Sequence, residues 1–134
     1  MSRIEYVTRP HMKPLIEPYG LSEAVRHGAL LTIAGQTGMN REHRIVAGGM
    51  KAQALQAFRN IAEIIACAGG DPANLVHLTW YLAPSDRSFM EDAIDVTAAR
   101  MEVFPNIAPG STAVRVQELL TPEIRIEIQA VCAL

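Results

Sequence analysis

The chain has 134 residues, 49% of them hydrophobic and 19% charged, with a net charge of -2. That length suits one domain with its own core, residues 1–134, and the apolar share excludes a disordered chain. The near-neutral balance without a basic run argues against nucleic-acid binding, no apolar run approaches the roughly 18 residues of a membrane span, and the polar start MSRIEYVTRPHM has no signal-peptide core.

Ile4–Thr8 alternates and predicts a first strand. RPHMKPLIEPYG carries three prolines, which block regular structure, so an extended loop is expected. LSEAVRHGALLTIAG predicts two strands hinged at His27-Gly28, the second apolar enough to be central. GMNREHRIVAGG predicts a loop, with a short edge strand at Arg44–Ala47. The period then becomes helical: in MKAQALQAFRNIAEIIACAGG, Leu55, Phe58, Ile61, Ala62 and Ile65 share one face, and Gly69-Gly70 ends the helix. Asp71 caps a short turn that starts at Pro72.

LVHLTWYLA, rich in β-branched and aromatic residues, predicts a buried strand with apolar groups on both faces. DRSFMEDAIDVTAARMEVF predicts a second helix, capped by Asp86 or Ser85, with Phe89, Ala93 and Val96 facing inward together with Met90, Ile94 and Met101. STAVRVQ predicts a strand. EIRIEIQAVCAL alternates strictly, with Ile124, Ile126, Ile128 and Ala130 on one face and Arg125, Glu127 and Gln129 on the other. Two β-α-β units behind a hairpin predict one mixed sheet with both helices on one face. The uncovered face then predicts self-association. Cys67 and Cys132, far apart in different patterns, predict reduced, buried thiols in a cytoplasmic protein.

Several residues invite a chemical reading. Glu127 sits mid-strand between Ile126 and Ile128. On a solvated face it would simply pair with Arg125 or Arg115; covered by an interface, it becomes a candidate general acid or base. The turn APGSTAVRV offers two hydroxyls, Ser111 and Thr112, which turns commonly use for capping. AGQTG holds Gly35 and Gly38 but lacks the Lys-Ser/Thr of a phosphate loop. Tyr19 is a loop anchor or a ligand contact. No Ser-His-Asp context and no nucleophile elbow occurs. The four histidines share no ligand spacing, so neither a metal nor a cofactor is expected.

Together these segments resemble the Rid family (reactive intermediate deaminases, also called YjgF) over nearly the whole chain. EPYGLSEAVRHGALLTIAGQTGMN resembles the family's early segment, with its GPY and S-G-Q elements. QALQAFRNIAEIIACAGGDPANLVHLTWYL resembles its first helix, glycine stop and following strand. PGSTAVRVQELLTPEIRIEIQAVCAL resembles its C-terminal signature, Pro-x-Arg-Ser-x-x-x-V followed by I-E-I-E-A. The ordered set carries the resemblance; no single motif does.

The resemblance implies an α+β, chorismate-mutase-like (YjgF-type) domain with a mixed six-stranded sheet and two helices on one face. It also implies a homotrimer whose sheets form a central barrel, with small-molecule ligands in the clefts between subunits. Members of its best-known branch hydrolyse enamines and imines, released by pyridoxal-phosphate enzymes, to 2-oxo acids and ammonia. There an Arg grips the substrate carboxylate, a Glu positions water, and the Gly-Gln turn assists. Position by position, Glu127 takes the Glu place, Gly35 the Gly place and Tyr19 the Tyr place.

Ser111 stands where the family has its Arg, beside Thr112, and Ala113 stands where a small thiol is often found. The family's helix Asn has no counterpart around Ala93. Arg115, on the same strand side as Ala113, can pair with Glu127 or meet an anion. STAV therefore resembles the non-archetypal branches. Two readings follow: a hydrolase for a neutral or differently anchored substrate, with Glu127 handling water, or a trimeric ligand-binding protein without turnover. Some family members are called ribonucleases or translation inhibitors, which the acidic balance here does not favour.

Overall fold

A computed structural model describes residues 3–134 of the chain. It contains a six-stranded sheet built from β1 (Ile4–Val7), β2 (Ala24–His27), β3 (Leu30–Gln36), β4 (Leu75–Leu82), β5 (Gly110–Arg115) and β6 (Ile126–Ala133). The strand order is β1-β2-β3-β6-β4-β5. All pairs are antiparallel except β4–β5, which is parallel. Two long helices, α2 (Gly49–Cys67) and α3 (Phe89–Val103), make the crossovers β3-α2-β4 and β4-α3-β5. The last strand, β6, inserts between β3 and β4. This is the α+β arrangement expected from the two β-α-β units.

The core lies between the sheet and the helices. From β6, Ile126, Ile128, Ala130 and Cys132 are buried, as strict alternation demands. From α2, Phe58, Ile61 and Ile65 are fully buried as predicted, joined by Ala54, Ala57 and Ile64, while Leu55 and Ala62 are only partly covered. Phe58 meets Phe104 edge to face at 6.1 Å, tying α2 to the end of α3. The helix stops at the predicted glycines, the Gly70 N–H donating to the Ile65 carbonyl at 2.9 Å. Asp71 caps the turn that follows, accepting from the Ala73 N–H at 2.9 Å.

Several local expectations are corrected. The proline-rich segment is not extended. It coils through 3-10 turns at Pro10–Met12 and Glu17–Tyr19 around a short helical turn, α1 (Lys13–Ile16). Each proline sits in the first turn, where its missing N–H leaves no bond unmade. Arg44–Ala47 forms no strand; a single bridge joins Met39 to Ile45. The cap of α3 is Ser88, which accepts from the Glu91 N–H while the Glu91 side chain bonds back, so S-F-M-E was the legible signal.

On α3 the buried stripe is Asp92, Val96 and Ala99, whereas Met90, Ile94 and Met101 are exposed. Of the residues expected inward, Val96 alone is buried; Ala93 is partly covered and Phe89 is exposed too, because α3 packs chiefly against α2. On β4, Leu78, Trp80 and Leu82 face the helices, but His77, Thr79 and Tyr81 face away, so that strand is not apolar on both sides. Cys132 is buried as expected; Cys67, at the solvent-facing end of α2, is exposed. No helix among the described residues is long and apolar enough to cross a membrane.

Candidate active site

The helix-free face of the sheet carries the candidate chemistry. Alternation points the side chain of Glu127 onto this face, across from Tyr81 of β4. On the other side, β3 and β6 lose register: Ile33 pairs with Ala130, but Gln36 pairs with Ile128. Two residues, Ala34 and Gly35, therefore oppose the single Gln129, which is a β-bulge. The extra residue swings the Gly35 backbone against Glu127. A Cβ built on Gly35 would lie 2.7 Å from the Glu127 carboxyl carbon, so any side chain there must displace the carboxylate. This contact explains one glycine of AGQTG. The other, Gly38, is pressed on α2, where a Cβ would stand 2.8 Å from the Gln53 Cα.

A buried polar network fixes this turn from behind. The Asn60 amide of α2 donates to the carbonyls of Thr37 (3.1 Å) and Met39 (2.9 Å). Its oxygen accepts from Arg9 at 3.2 Å. Arg9, 5% exposed, donates from Nε and Nη2 to the two oxygens of Glu23, at 2.9 and 2.7 Å, and Glu23 is 2% exposed. The Glu23 carbonyl in turn accepts from the Ala34 N–H at 2.8 Å. Burial works against the Arg9 charge, but the Glu23 and Glu63 carboxylates prevail, and its pKa ends above the ordinary value. Arg9, Glu23 and Asn60 carry no local sequence signal, and reasoning from spacing misses them.

Glu127 itself is half-buried, and burial alone pushes its pKa above the usual 4.5, with neither a cation nor a hydrogen bond to offset it. The arginines expected as its partners are occupied elsewhere. Arg125 turns its guanidinium to the carbonyls of Pro84 and Pro122. Arg115 points to the helix face, because strand parity puts it with Ser111 and Ala113 beside Leu78, Trp80 and Leu82. There it donates to Asp92 at 2.8 Å and to the Ala83 carbonyl at 2.9 Å, with Phe89 5.6 Å beneath its guanidinium. Asp92 is 1% exposed; its second oxygen, 3.5 Å from Arg87, is ion-paired without a hydrogen bond. Arg115 thus braces β5 against α3 rather than meeting Glu127 within the chain.

The remaining candidates lie apart. Thr112 shares the open face with Glu127 by register, while the adjacent Ser111 points to the opposite side. Two strand spacings and three residues along β5 separate Ser111 from Glu127 within one chain, roughly 14 Å between backbones. Tyr19 stands 79% exposed on the segment before β2. Gly35 and Glu127 are therefore the pair that one chain brings into contact. Two cavities of about 720 and 530 Å³ lie elsewhere, one between the start of α2 and Pro84–Arg87, the other beside Cys67. Among the described residues no cluster of three metal-ligating side chains forms.

Comparison with known proteins agrees with this architecture. Residues 13–134 match the family model described as Endoribonuclease L-PSP. The chain is 35% identical over 117 residues to a human protein named 2-iminobutanoate/2-iminopropanoate deaminase, covering 87% of this chain and 80% of that one. It is 34% identical over 119 residues to a RutC family protein of Aquifex aeolicus, covering 87% and 90%. A crystal structure from Mycobacterium tuberculosis, described as a member of the YjgF/YER057c/UK114 family, is 25% identical and superposes with a TM-score of 0.78, covering 98% of this chain and 100% of that one. The chain belongs to the Endoribonuclease L-PSP family, the Rid or YjgF family that its segments resemble.

Proposed function

We propose that this protein is a homotrimeric, Rid-type hydrolase of small imines or enamines, with Glu127 as the group that handles water. The observation that carries the reading is the Glu127 carboxyl, half-buried, free of cations and pressed against the Gly35 backbone. A carboxylate kept from water and from counter-charge is a stronger base than a solvated one. It can take a proton from a water molecule as the oxygen adds to the C=N carbon. The carboxyl returns that proton to nitrogen, giving a carbinolamine; it then takes the hydroxyl proton and passes it to nitrogen as the C–N bond breaks, so that ammonia leaves and a carbonyl product remains. Relatives named 2-iminobutanoate/2-iminopropanoate deaminase support the reaction class.

The trimer completes the site in this reading. One chain leaves the sheet face open, with Tyr6, Leu30 and Val114 exposed on it. Covering that face with neighbouring subunits removes them from water. It also allows Ser111, Thr112 and Tyr19 of one chain to approach Gly35 and Glu127 of another, which one chain does not achieve. Arg115 then serves as the brace that holds β5 and its two hydroxyls in place. Light scattering in dilute solution is expected to give three times the 14.6 kDa chain mass; a stable monomer would remove the completed site. The free thiols of Cys67 and Cys132 suit a cytoplasmic setting.

The substrate in this reading is neutral, or anchored otherwise than by a carboxylate, because Ser111 offers a hydroxyl where the family's Arg would bind an anion. The test is the decay of a panel of small uncharged imines with and without the protein. Acceleration that disappears in Glu127→Ala is the expected result. The missing clamp equally favours a ligand-binding protein without turnover. That second reading is the outcome if panel members bind, by calorimetry, yet none decays faster.

A further inference from the structure

We infer that Tyr81 is a positioning residue for Glu127: its ring walls the carboxyl on the side opposite Gly35 and keeps water from that flank. The inference rests on the reading of Glu127 as the group that handles water. Register carries it first. Tyr81 stands directly across from Glu127 in the β4–β6 ladder. Residues so opposed on one face of an antiparallel pair hold their Cβ atoms about 4.5–5.5 Å apart.

Elimination carries it further. Gly35, Arg125, Gln129 and Tyr81 are among the positions that border Glu127 on the open face. Gly35 closes one flank with backbone alone. Arg125, two residues earlier on the strand, has its guanidinium on the Pro84 and Pro122 carbonyls. Gln129, two residues later, has its amide oxygen engaged by the Tyr81 hydroxyl at 3.1 Å. Tyr81 is the bulky side chain among these, and register sets it directly across from Glu127. Its bond to Gln129 spans the diagonal of the ladder and fixes the ring in one orientation. Within one chain this face is otherwise open, yet Glu127 is desolvated enough to raise its pKa, with no charge contributing. A flat ring on one flank and bare backbone on the other account for that.

The test is a titration of Glu127 in the intact protein, followed through its side-chain carboxyl carbon by NMR, with no substrate present. The wild-type midpoint should lie above the ordinary 4.5, since burial raises it. Tyr81→Phe keeps the ring and should leave the midpoint close to wild type. Tyr81→Thr removes the ring and should bring the midpoint back toward 4.5, as water reaches the carboxyl. Tyr81→Leu, a smaller apolar wall, should fall between, and it replaces the threonine variant if that one does not fold.

A midpoint unmoved by Tyr81→Thr, or by Tyr81→Leu in its place, overturns the inference. So does a shift in Tyr81→Phe as large as that in Tyr81→Thr, because the hydroxyl and not the ring would then be acting. The two readings fail separately. An imine panel without acceleration sinks the hydrolase and leaves the titration standing. Turnover beside an unmoved titration sinks the role of Tyr81 alone.

Discussion

Glu23→Ala is expected to destabilise the protein by about 3–5 kcal/mol, because it leaves the Arg9 guanidinium buried without the carboxylate that receives it. Both side chains are almost wholly inaccessible, and Glu23 also accepts from the Arg9 backbone N–H at 3.0 Å. Glu63 cannot take over the load, since it is 40% exposed and shared with Arg41. Urea unfolding measures the effect as a fall in the midpoint at unchanged slope. Replacing both residues together, Arg9→Met with Glu23→Leu, should cost less than Glu23→Ala alone, because no unpaired charge then remains inside. A loss below about 1 kcal/mol in Glu23→Ala, the range of an exposed pair, would mean that water reaches Arg9. The consequence extends to the site. Arg9 holds Asn60, and Asn60 holds the carbonyls after Gly35, so the turn against Glu127 should loosen in the same variant.

The other large effect concerns substrate charge. A 2-imino acid must surrender the hydration of its carboxylate on entering a cleft of this kind. A charged hydrogen bond contributes about 1.5–3 kcal/mol, and a bidentate Arg supplies two. In the proposed site Ser111 stands at that position, and Arg115 and Arg125 are occupied within the chain, so neither bond would be made. Each 1.36 kcal/mol is tenfold in rate, so activity on 2-iminopropanoate is expected to lie roughly 100-fold or more below that of a relative bearing the Arg. A coupled assay, in which an amino-acid-degrading enzyme generates the imine and its decay is followed, measures the difference. Ser111→Arg should recover part of the loss. Wild-type activity equal to the Arg-bearing relative, and abolished by Glu127→Ala, would show that another residue supplies the clamp.

Local and periodic features could be read from the chain alone. EIRIEIQAVCAL alternates so strictly that Glu127 had to face away from Ile126 and Ile128, and 3.6-residue spacing placed Phe58, Ile61 and Ile65 of α2 in the core. Gly69-Gly70 marked the end of α2 and Asp71 the cap of the next turn, while the α3 cap fell at Ser88 rather than Ser85 or Asp86; the segments in order sufficed to indicate the family. These features depend on neighbours within a turn or two of chain, which a linear reading contains.

Which distant residues meet depends on how the chain folds. That β6 enters between β3 and β4 sets Gly35 on one side of Glu127 and Tyr81 on the other, and no periodicity announces an insertion made by the last strand. The bulge at Ala34–Gly35 shifts register by one residue, a change set by pairing rather than by composition. The helical period on α3 read Phe89, Met90, Ile94 and Met101 as inward with Ala93 and Val96, but packing, chiefly against α2, buried Val96 and Ala99 and left those four exposed. Arg115 was free to serve Glu127 until strand parity turned it to Asp92. The Arg9–Glu23 pair is buried because chain segments 14 residues apart fold over α2 together, and burial of a charge is a property of its surroundings, not of its own residue type.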